Sequence, residues 1–130
     1  METAYILIGL FTIIGLMLLF QVMAYFQSRK QLGKRAPYTP LTNGIDDSKP
    51  AIVYFHSPSC GACKKMTGII SELGVKNRNV VSIDTSQSLD AARAFNVRGT
   101  PTVVQLKEGT VTQVLLGAQS KETLEELLLD

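Results

Sequence analysis

The sequence predicts an α/β domain with a trimmed four-stranded mixed sheet and flanking helices, preceded by one transmembrane helix. Three observations lead to this prediction: an uncharged apolar run near the N-terminus, an alternation of β-rich runs with amphipathic segments after it, and a hairpin signal near the C-terminus. A βαβ unit that leads into a hairpin implies a mixed sheet with helices on both faces. We place the anchor at residues 1–27, a linker at 28–49 and the globular domain at 50–130.

The N-terminal run from Ala4 to Phe26 is almost wholly apolar. At about 1.5 Å per residue, such a helix is roughly 35 Å long, which is enough to cross a hydrocarbon core of about 30 Å. A cleaved signal peptide normally begins with a basic segment and has a shorter apolar core, whereas this chain begins Met-Glu-Thr. We therefore expect a retained anchor that contacts the lipid bilayer through residues 4–26, and the alternative is a buried core helix.

Basic residues follow the apolar run, namely Arg29, Lys30, Lys34 and Arg35. Because Lys and Arg tend to stay on the cytoplasmic side, they favour a single-pass protein of a bacterial inner membrane with its domain in the cytoplasm. The extracytoplasmic side is the alternative. The basic excess in this chain of net charge +2 lies beside the apolar run and is expected to face anionic lipid headgroups. We therefore expect no nucleic-acid partner.

The first half of the domain gives a strand, a helix, a second strand and a short helix. The run "AIVYF" at 51–55 is β-rich and apolar, as is typical of a strand covered on both faces. A helix is predicted from about Cys60 to Gly74, followed by a strand at 80–84 and a helix over 88–95. The side chains that we expect to face inward from these helices are Met66, Ile69, Ile70, Leu73, Leu89, Ala92 and Phe95.

The second half of the domain gives a hairpin and a closing helix. Two β-rich runs, at 102–106 and 110–116, flank "KEG", and this pattern is typical of a β-hairpin. The last predicted helix covers 121–129, with leucines spaced along one face.

The two cysteines of the chain, Cys60 and Cys63, lie where the strand at 51–55 gives way to a helix. A thiol at a helix N-terminus faces unpaired backbone N–H groups and the positive end of the helix dipole, and both favour the thiolate. Lys64 adds positive potential, and Gly61 leaves room for an incoming disulfide. We expect Cys60 to be the nucleophile and Cys63, less than one turn away, to be the resolving cysteine.

The cysteine pair has two other interpretations. A zinc site needs four ligands, and the chain offers two cysteines and one histidine, His56, so a metal-carrying role requires a second chain or an external ligand. An inert disulfide would close a very small loop and contribute little stability. We therefore expect no bound metal.

A resemblance to a known family covers residues 50–130. The stretch "AIVYFHSPSCGACKKM", followed by "NVRGTPTVVQLKEGTVTQVLLGAQSKETLEELL", is similar to the thioredoxin family. The resemblance implies a thioredoxin-like fold and a cis Thr100–Pro101 peptide beside the cysteines, where a backbone binds extended substrate. It also implies exchange with protein disulfides that needs no cofactor beyond the redox-active disulfide Cys60–Cys63.

The sequence departs from the family pattern at several positions. Ala62 replaces the proline between the cysteines, which puts the reduction potential in doubt. The buried acid that usually helps deprotonate the resolving cysteine falls at Tyr54, so that proton route is missing. His56 stands where the family has a tryptophan; it either relays protons to Cys63 or is an ordinary packed side chain. Residues 37–49 are too few and too polar to supply the family's first strand and helix.

These observations give one main hypothesis and two alternatives. The main hypothesis is a membrane-anchored thiol–disulfide oxidoreductase that acts on a protein partner. The first alternative is a non-catalytic docking module that binds a membrane partner near Pro101. The second is a metal-carrying protein that uses the cysteine pair.

Overall fold

The computed structural model describes residues 1–29, 32–37 and 42–129, without the side chains of residues 24, 25 and 27–29. The chain divides into two compact units, Met1–Lys30 and Gln31–Asp130. The boundaries that we placed after residues 27 and 49 stay predictions.

The first unit consists of helix α1 (Glu2–Arg29). Its stretch Glu2–Met23 is long and apolar enough to cross a membrane, and a signal sequence near the N-terminus would have the same properties. The predicted orientation depends partly on the Arg29 side chain and on Lys30, which lie outside the described residues.

The second unit alternates strands and helices in the predicted order. In chain order its elements are β1 (Ala51–His56), α2 (Gly61–Lys76), β2 (Val80–Asp84), α3 (Leu89–Ala94), β3 (Thr102–Lys107), β4 (Thr110–Leu116) and α4 (Lys121–Leu129). The strands form one sheet in the order β2-β1-β3-β4. β1 pairs parallel with β2 and antiparallel with β3, and β3 pairs antiparallel with β4. The four-stranded mixed sheet is therefore confirmed.

Two apolar cores lie on the two faces of the sheet, because successive side chains of a strand point to opposite faces. On one face, Ile52 and Tyr54 of β1 pack in a cluster with residues of α2 and α4. On the other face, Val53 and Phe55 pack in a cluster with residues of α3. All four of these β1 residues are fully buried, so the central strand is fixed from both sides just before the cysteines.

Two details of the predicted helices are wrong. Leu89 does not face the core, since it is 52% exposed, and Ala91 is buried instead. Helix α2 does not end at Gly74 but continues to Lys76, where the backbone N–H of the following Asn77 still donates to the Leu73 carbonyl.

Part of the segment predicted as a linker is hydrogen-bonded to the sheet. The N–H of Gly33 donates to the Val111 carbonyl at 2.8 Å, and the N–H of Val111 donates to the Lys34 carbonyl at 2.9 Å. The edge strand β4 has unpaired backbone groups on its outer side, and this short segment pairs with some of them. Residues 38–41 of the predicted linker lie outside the described residues.

Further along the same segment, residues 46–50 are hydrogen-bonded to the buried side chain of Asn79. Its amide donates to the carbonyls of Asp46, Lys49 and Pro50, and its oxygen accepts from the Asp46 N–H at 2.9 Å. These bonds fix the start of β1, the strand that leads to the cysteines.

Candidate active site

The two cysteines lie at the start of α2 and are joined by a disulfide. Cys60 is the N-cap residue of the helix, and its sulfur accepts a hydrogen bond from the Cys63 N–H at 3.2 Å. This N–H is one of the backbone donors that have no partner within the helix. An electron-rich sulfur at position 60 therefore sits where the helix offers a donor and the positive end of its dipole.

The two sulfur-bearing residues differ in exposure. Cys60 is half-buried, whereas Cys63 is only 2% exposed. An incoming molecule therefore meets Cys60 first.

The residues around the pair leave its outer side open and positive. Gly61 and Ala62 are exposed, and a Cβ built at Gly61 would meet no atom within 4 Å. Lys64 and Lys65 are exposed in the first turns of α2, and no acidic residue occurs in its first turn. This charge distribution favours an anionic sulfur at the N-terminus of the helix.

The segment around Pro101 lies beside the cysteine loop. The Thr100–Pro101 peptide is cis, and Pro101 is buried. The hydroxyls of Thr100 and Ser57 are 3.3 Å apart, while the Ser57 carbonyl accepts from the Cys60 N–H at 3.2 Å. Ser57 thus connects the two segments, a role that a serine in a loop is too weak a signal to predict from the sequence.

His56 lies on the same face of β1 as Tyr54. The two rings stack with centroids 5.3 Å apart and an interplanar angle of 19°. Across the described residues, no hydrogen bond joins the imidazole to either cysteine sulfur. The proton relay that we considered for His56 stays a prediction without a hydrogen-bonded route.

Tyr54 is the functional candidate whose contact the sequence analysis missed. Its ring is fully buried, and its hydroxyl donates to the backbone carbonyl of Cys63 at 3.2 Å. The alternation of Ile52, Tyr54 and His56 along β1 is the signal that could have placed this hydroxyl beneath α2.

An open groove lies next to the cysteine pair. Its volume is about 570 Å³, and it runs between the first turns of α2 and the beginning of α4. Gly61, Ala62, Met66 and Ile69 contribute lining from α2, and Ala118 contributes from the loop before α4. The rest of the lining is polar or charged: Lys65, Gln119, Ser120, Lys121 and Glu122.

Within the described ranges, no group of three or more His, Cys, Asp and Glu side chains is arranged to hold a metal ion. The Cys60–Cys63 disulfide gives the site the chemistry of a dithiol–disulfide pair.

Comparison with known proteins agrees with this geometry. The family model described as "Thioredoxin" matches residues 39–130. The chain is 29% identical to "Putative thioredoxin H10" of Arabidopsis thaliana over 111 residues, which cover 76% of this chain and 72% of that protein. It is 32% identical to "Thioredoxin" of Bacillus subtilis over 77 residues, which cover 57% of this chain and 74% of that protein.

Among solved structures, a mutant thioredoxin from Halobacterium salinarum NRC-1 superposes with a TM-score of 0.61 at 26% identity. The match covers 71% of this chain and 82% of that one. The family match and the cysteine pair at the start of α2 lead to one conclusion: the chain belongs to the thioredoxin family, as a thiol–disulfide oxidoreductase.

Proposed function

We propose that this protein is anchored in a membrane by residues 4–26 and exchanges electrons with a protein partner through Cys60. The apolar character of Glu2–Met23 supports the anchor. The observation that supports the roles of the cysteines is their difference in exposure: Cys60 is accessible at the helix N-terminus, and Cys63 is buried behind it.

The exchange proceeds in two steps when the protein acts as a reductant. In the first, the Cys60 thiolate attacks one sulfur of a substrate disulfide, a Cys60–substrate disulfide forms, and the other substrate sulfur leaves as a thiolate that takes a proton. In the second, Cys63 loses its proton to solvent and attacks the Cys60 sulfur. The Cys60–Cys63 bond forms, the substrate bond breaks, and the second substrate thiolate is protonated. The protein loses two electrons and the substrate disulfide gains them.

The backbone beside Pro101 is the proposed binding site for an extended segment of the substrate. Proline offers no N–H, so the neighbouring backbone of Thr100 is the group that pairs with an incoming chain. Gly61, Ala62 and Lys64 form the exposed rim that the partner contacts. No organic cofactor takes part, because the cysteine pair holds both electrons.

We also propose that the domain lies on the cytoplasmic side, because basic residues follow the apolar run. Treatment of intact cells with a membrane-impermeant maleimide tests this placement. Cys60 is expected to stay unlabelled until the membrane is opened, whereas rapid labelling of intact cells would place the domain on the outer side.

Trapping with single-cysteine variants tests the proposed reaction. Cys63→Ser should accumulate mixed disulfides with the partner, because the second step is blocked, and Cys60→Ser should accumulate none. If both variants bind a partner equally and neither forms a mixed disulfide, the docking alternative replaces the catalytic one. Zinc or copper in a one-to-one ratio with purified protein would instead support metal carriage.

A further inference from the structure

A buried hydroxyl group lies directly beneath α2, the helix that begins at the cysteine pair. Tyr54 is fully buried in β1, and its hydroxyl donates to the Cys63 carbonyl at 3.2 Å. The same hydroxyl is 3.1 Å from the hydroxyl of Thr67, one turn further along α2. The central strand is thereby bonded to the backbone of the buried cysteine.

The directions of these bonds follow from the number of protons. A tyrosine hydroxyl has a single proton, and here it points to the Cys63 carbonyl. The hydroxyl of Thr67 must therefore donate to the Tyr54 oxygen. Since an α-helix already pairs the Cys63 carbonyl with the N–H four residues later, the phenol supplies a second donor to the same carbonyl.

Burial also keeps this donor in its protonated form. Desolvation raises the pKa of Tyr54, and the hydrogen bond with Thr67 opposes that rise in part. A phenol with a raised pKa stays protonated across the neutral range, so the bond to Cys63 does not change with physiological pH.

We propose that Tyr54 is a positioning residue for the resolving step, in which its hydroxyl holds the backbone of Cys63 where the Cys63 sulfur can reach Cys60. This inference rests on the proposed roles of the two cysteines. It assigns Tyr54 no proton transfer, because its hydroxyl is bonded to a carbonyl oxygen and not to sulfur.

The chemical consequence concerns the closure of the disulfide. In closure, the Cys63 sulfur attacks the Cys60 sulfur, the Cys60–Cys63 bond forms, and the thiolate of the other partner leaves and is protonated. A fixed Cys63 raises the effective concentration of its thiol at Cys60, because less conformational freedom is lost when the bond forms. Without the phenol hydroxyl, Cys63 has more conformational freedom to lose when the bond forms.

The expected size of the effect is that of one buried hydrogen bond. Such a bond changes an equilibrium constant by about two- to tenfold. For a two-electron couple, a tenfold change corresponds to about 30 mV. Tyr54→Phe should therefore lower the effective concentration of Cys63 by this factor and raise the reduction potential by about 10–30 mV, making the disulfide easier to reduce.

The experiment uses the full chain in detergent micelles with glutathione as the probe. Two quantities are measured: the equilibrium between the protein disulfide and reduced glutathione, and the rate at which a Cys60–glutathione disulfide converts to Cys60–Cys63. Tyr54→Phe keeps the ring and its stacking on His56 and removes only the hydroxyl. We expect it to slow the conversion by about two- to tenfold.

Two control variants separate positioning from general loss of stability. Val53→Ala alters the neighbouring residue of β1 on the opposite face of the sheet, so it weakens the core without touching the phenol bond. Thr67→Val removes the hydroxyl that donates to Tyr54 and leaves the phenol–Cys63 bond. We expect Val53→Ala to leave both quantities unchanged and Thr67→Val to change them less than Tyr54→Phe does.

Three results would overturn the inference. They are an unchanged potential and conversion rate in Tyr54→Phe, an equal change in Val53→Ala, or the full effect in Thr67→Val. The proposed function is judged separately, because glutathione measures closure of the pair without any protein partner. A wild-type protein that closes its disulfide, together with a Cys63→Ser variant that never traps a protein partner, would refute the proposed function and leave the role of Tyr54 standing.

Discussion

The side chain of Gln105 joins the central part of the sheet to the end of α4, so its removal should lower the free energy of unfolding. Gln105 is 3% exposed. Its amide nitrogen donates to the Leu127 carbonyl at 2.8 Å, and its oxygen accepts from the Thr112 hydroxyl at 2.9 Å. Leu127 lies in the last turn of α4, where carbonyl groups have no partner within the helix. Gln105 therefore caps this helix from the sheet.

Gln105→Met keeps an unbranched side chain of similar length and removes both hydrogen bonds. The exposed Thr112 can bond to water instead, whereas the Leu127 carbonyl stays buried without its donor. A buried polar group without a partner costs roughly 1–3 kcal/mol, so the free energy of unfolding should fall by about that amount. We would measure it by urea titration of the full chain in detergent, as a lower midpoint at unchanged slope.

A matched control is available directly across the sheet. Gln113 pairs with Gln105 in the β3–β4 register and is exposed. Gln113→Met should therefore change the free energy of unfolding by no more than about 0.5 kcal/mol. Equal stabilities for the two variants would refute the reasoning, because burial of the amide would then have no energetic consequence.

Two further predictions concern α2. Glu72 accepts a hydrogen bond from Lys121 of α4 at 2.8 Å, and this bond, with the positive charge of Lys121, holds the pKa of Glu72 below its usual range. Because the pKa of Glu72 is lower in the folded state than in the unfolded state, this bond stabilises the fold above the unfolded-state pKa, and the stabilisation is lost as the pH falls through the folded-state pKa. The difference in stability between wild type and Glu72→Gln should therefore disappear on acidification. A difference that persists in thermal unfolding at acid pH would contradict this. Gly68→Ala should raise the free energy of unfolding by roughly 0.5–1 kcal/mol. Gly68 lies in the middle of the helix on its exposed side, and no atom lies within 4 Å of a Cβ built there. A lower free energy of unfolding in urea would show that the site is crowded.

The sequence predicted the sheet well because strand signals and burial coincide in this domain. β2 and β4 have the predicted bounds, since each is a β-rich run ended by turn residues. Helix α4 also matches over Lys121–Leu129, with Leu124 and Leu127 buried at helical spacing.

The short helix α3 shows where periodicity is insufficient. It has six residues, less than two turns, so several apolar residues compete for one small inward face. The structure buries Ala91 and Ala92 and leaves Leu89 exposed. Size alone did not predict which side chain faces the sheet.

Contacts through the backbone had no signal in the sequence. The pairing of Gly33 and Lys34 with Val111 uses only N–H and C=O groups, which every such residue has. The hydrogen bond from Tyr54 also has a backbone acceptor, the carbonyl of Cys63. The spacing of the cysteines predicted the reactive pair of the site. The hydrogen bond that holds Cys63 in place could be found only from the packing of α2 on β1.

The proposed exchange requires that Cys60 be an accessible thiolate at the start of α2. The direct measurement is the rate of iodoacetamide alkylation of full-length Cys63→Ser as a function of pH, since that variant has one thiol. The midpoint should lie below the value of a free cysteine, about 8.5, because the backbone donors and the helix dipole stabilise the anion. A midpoint at or above that value would contradict it, and the proposed electron exchange through Cys60 would lose its physical basis.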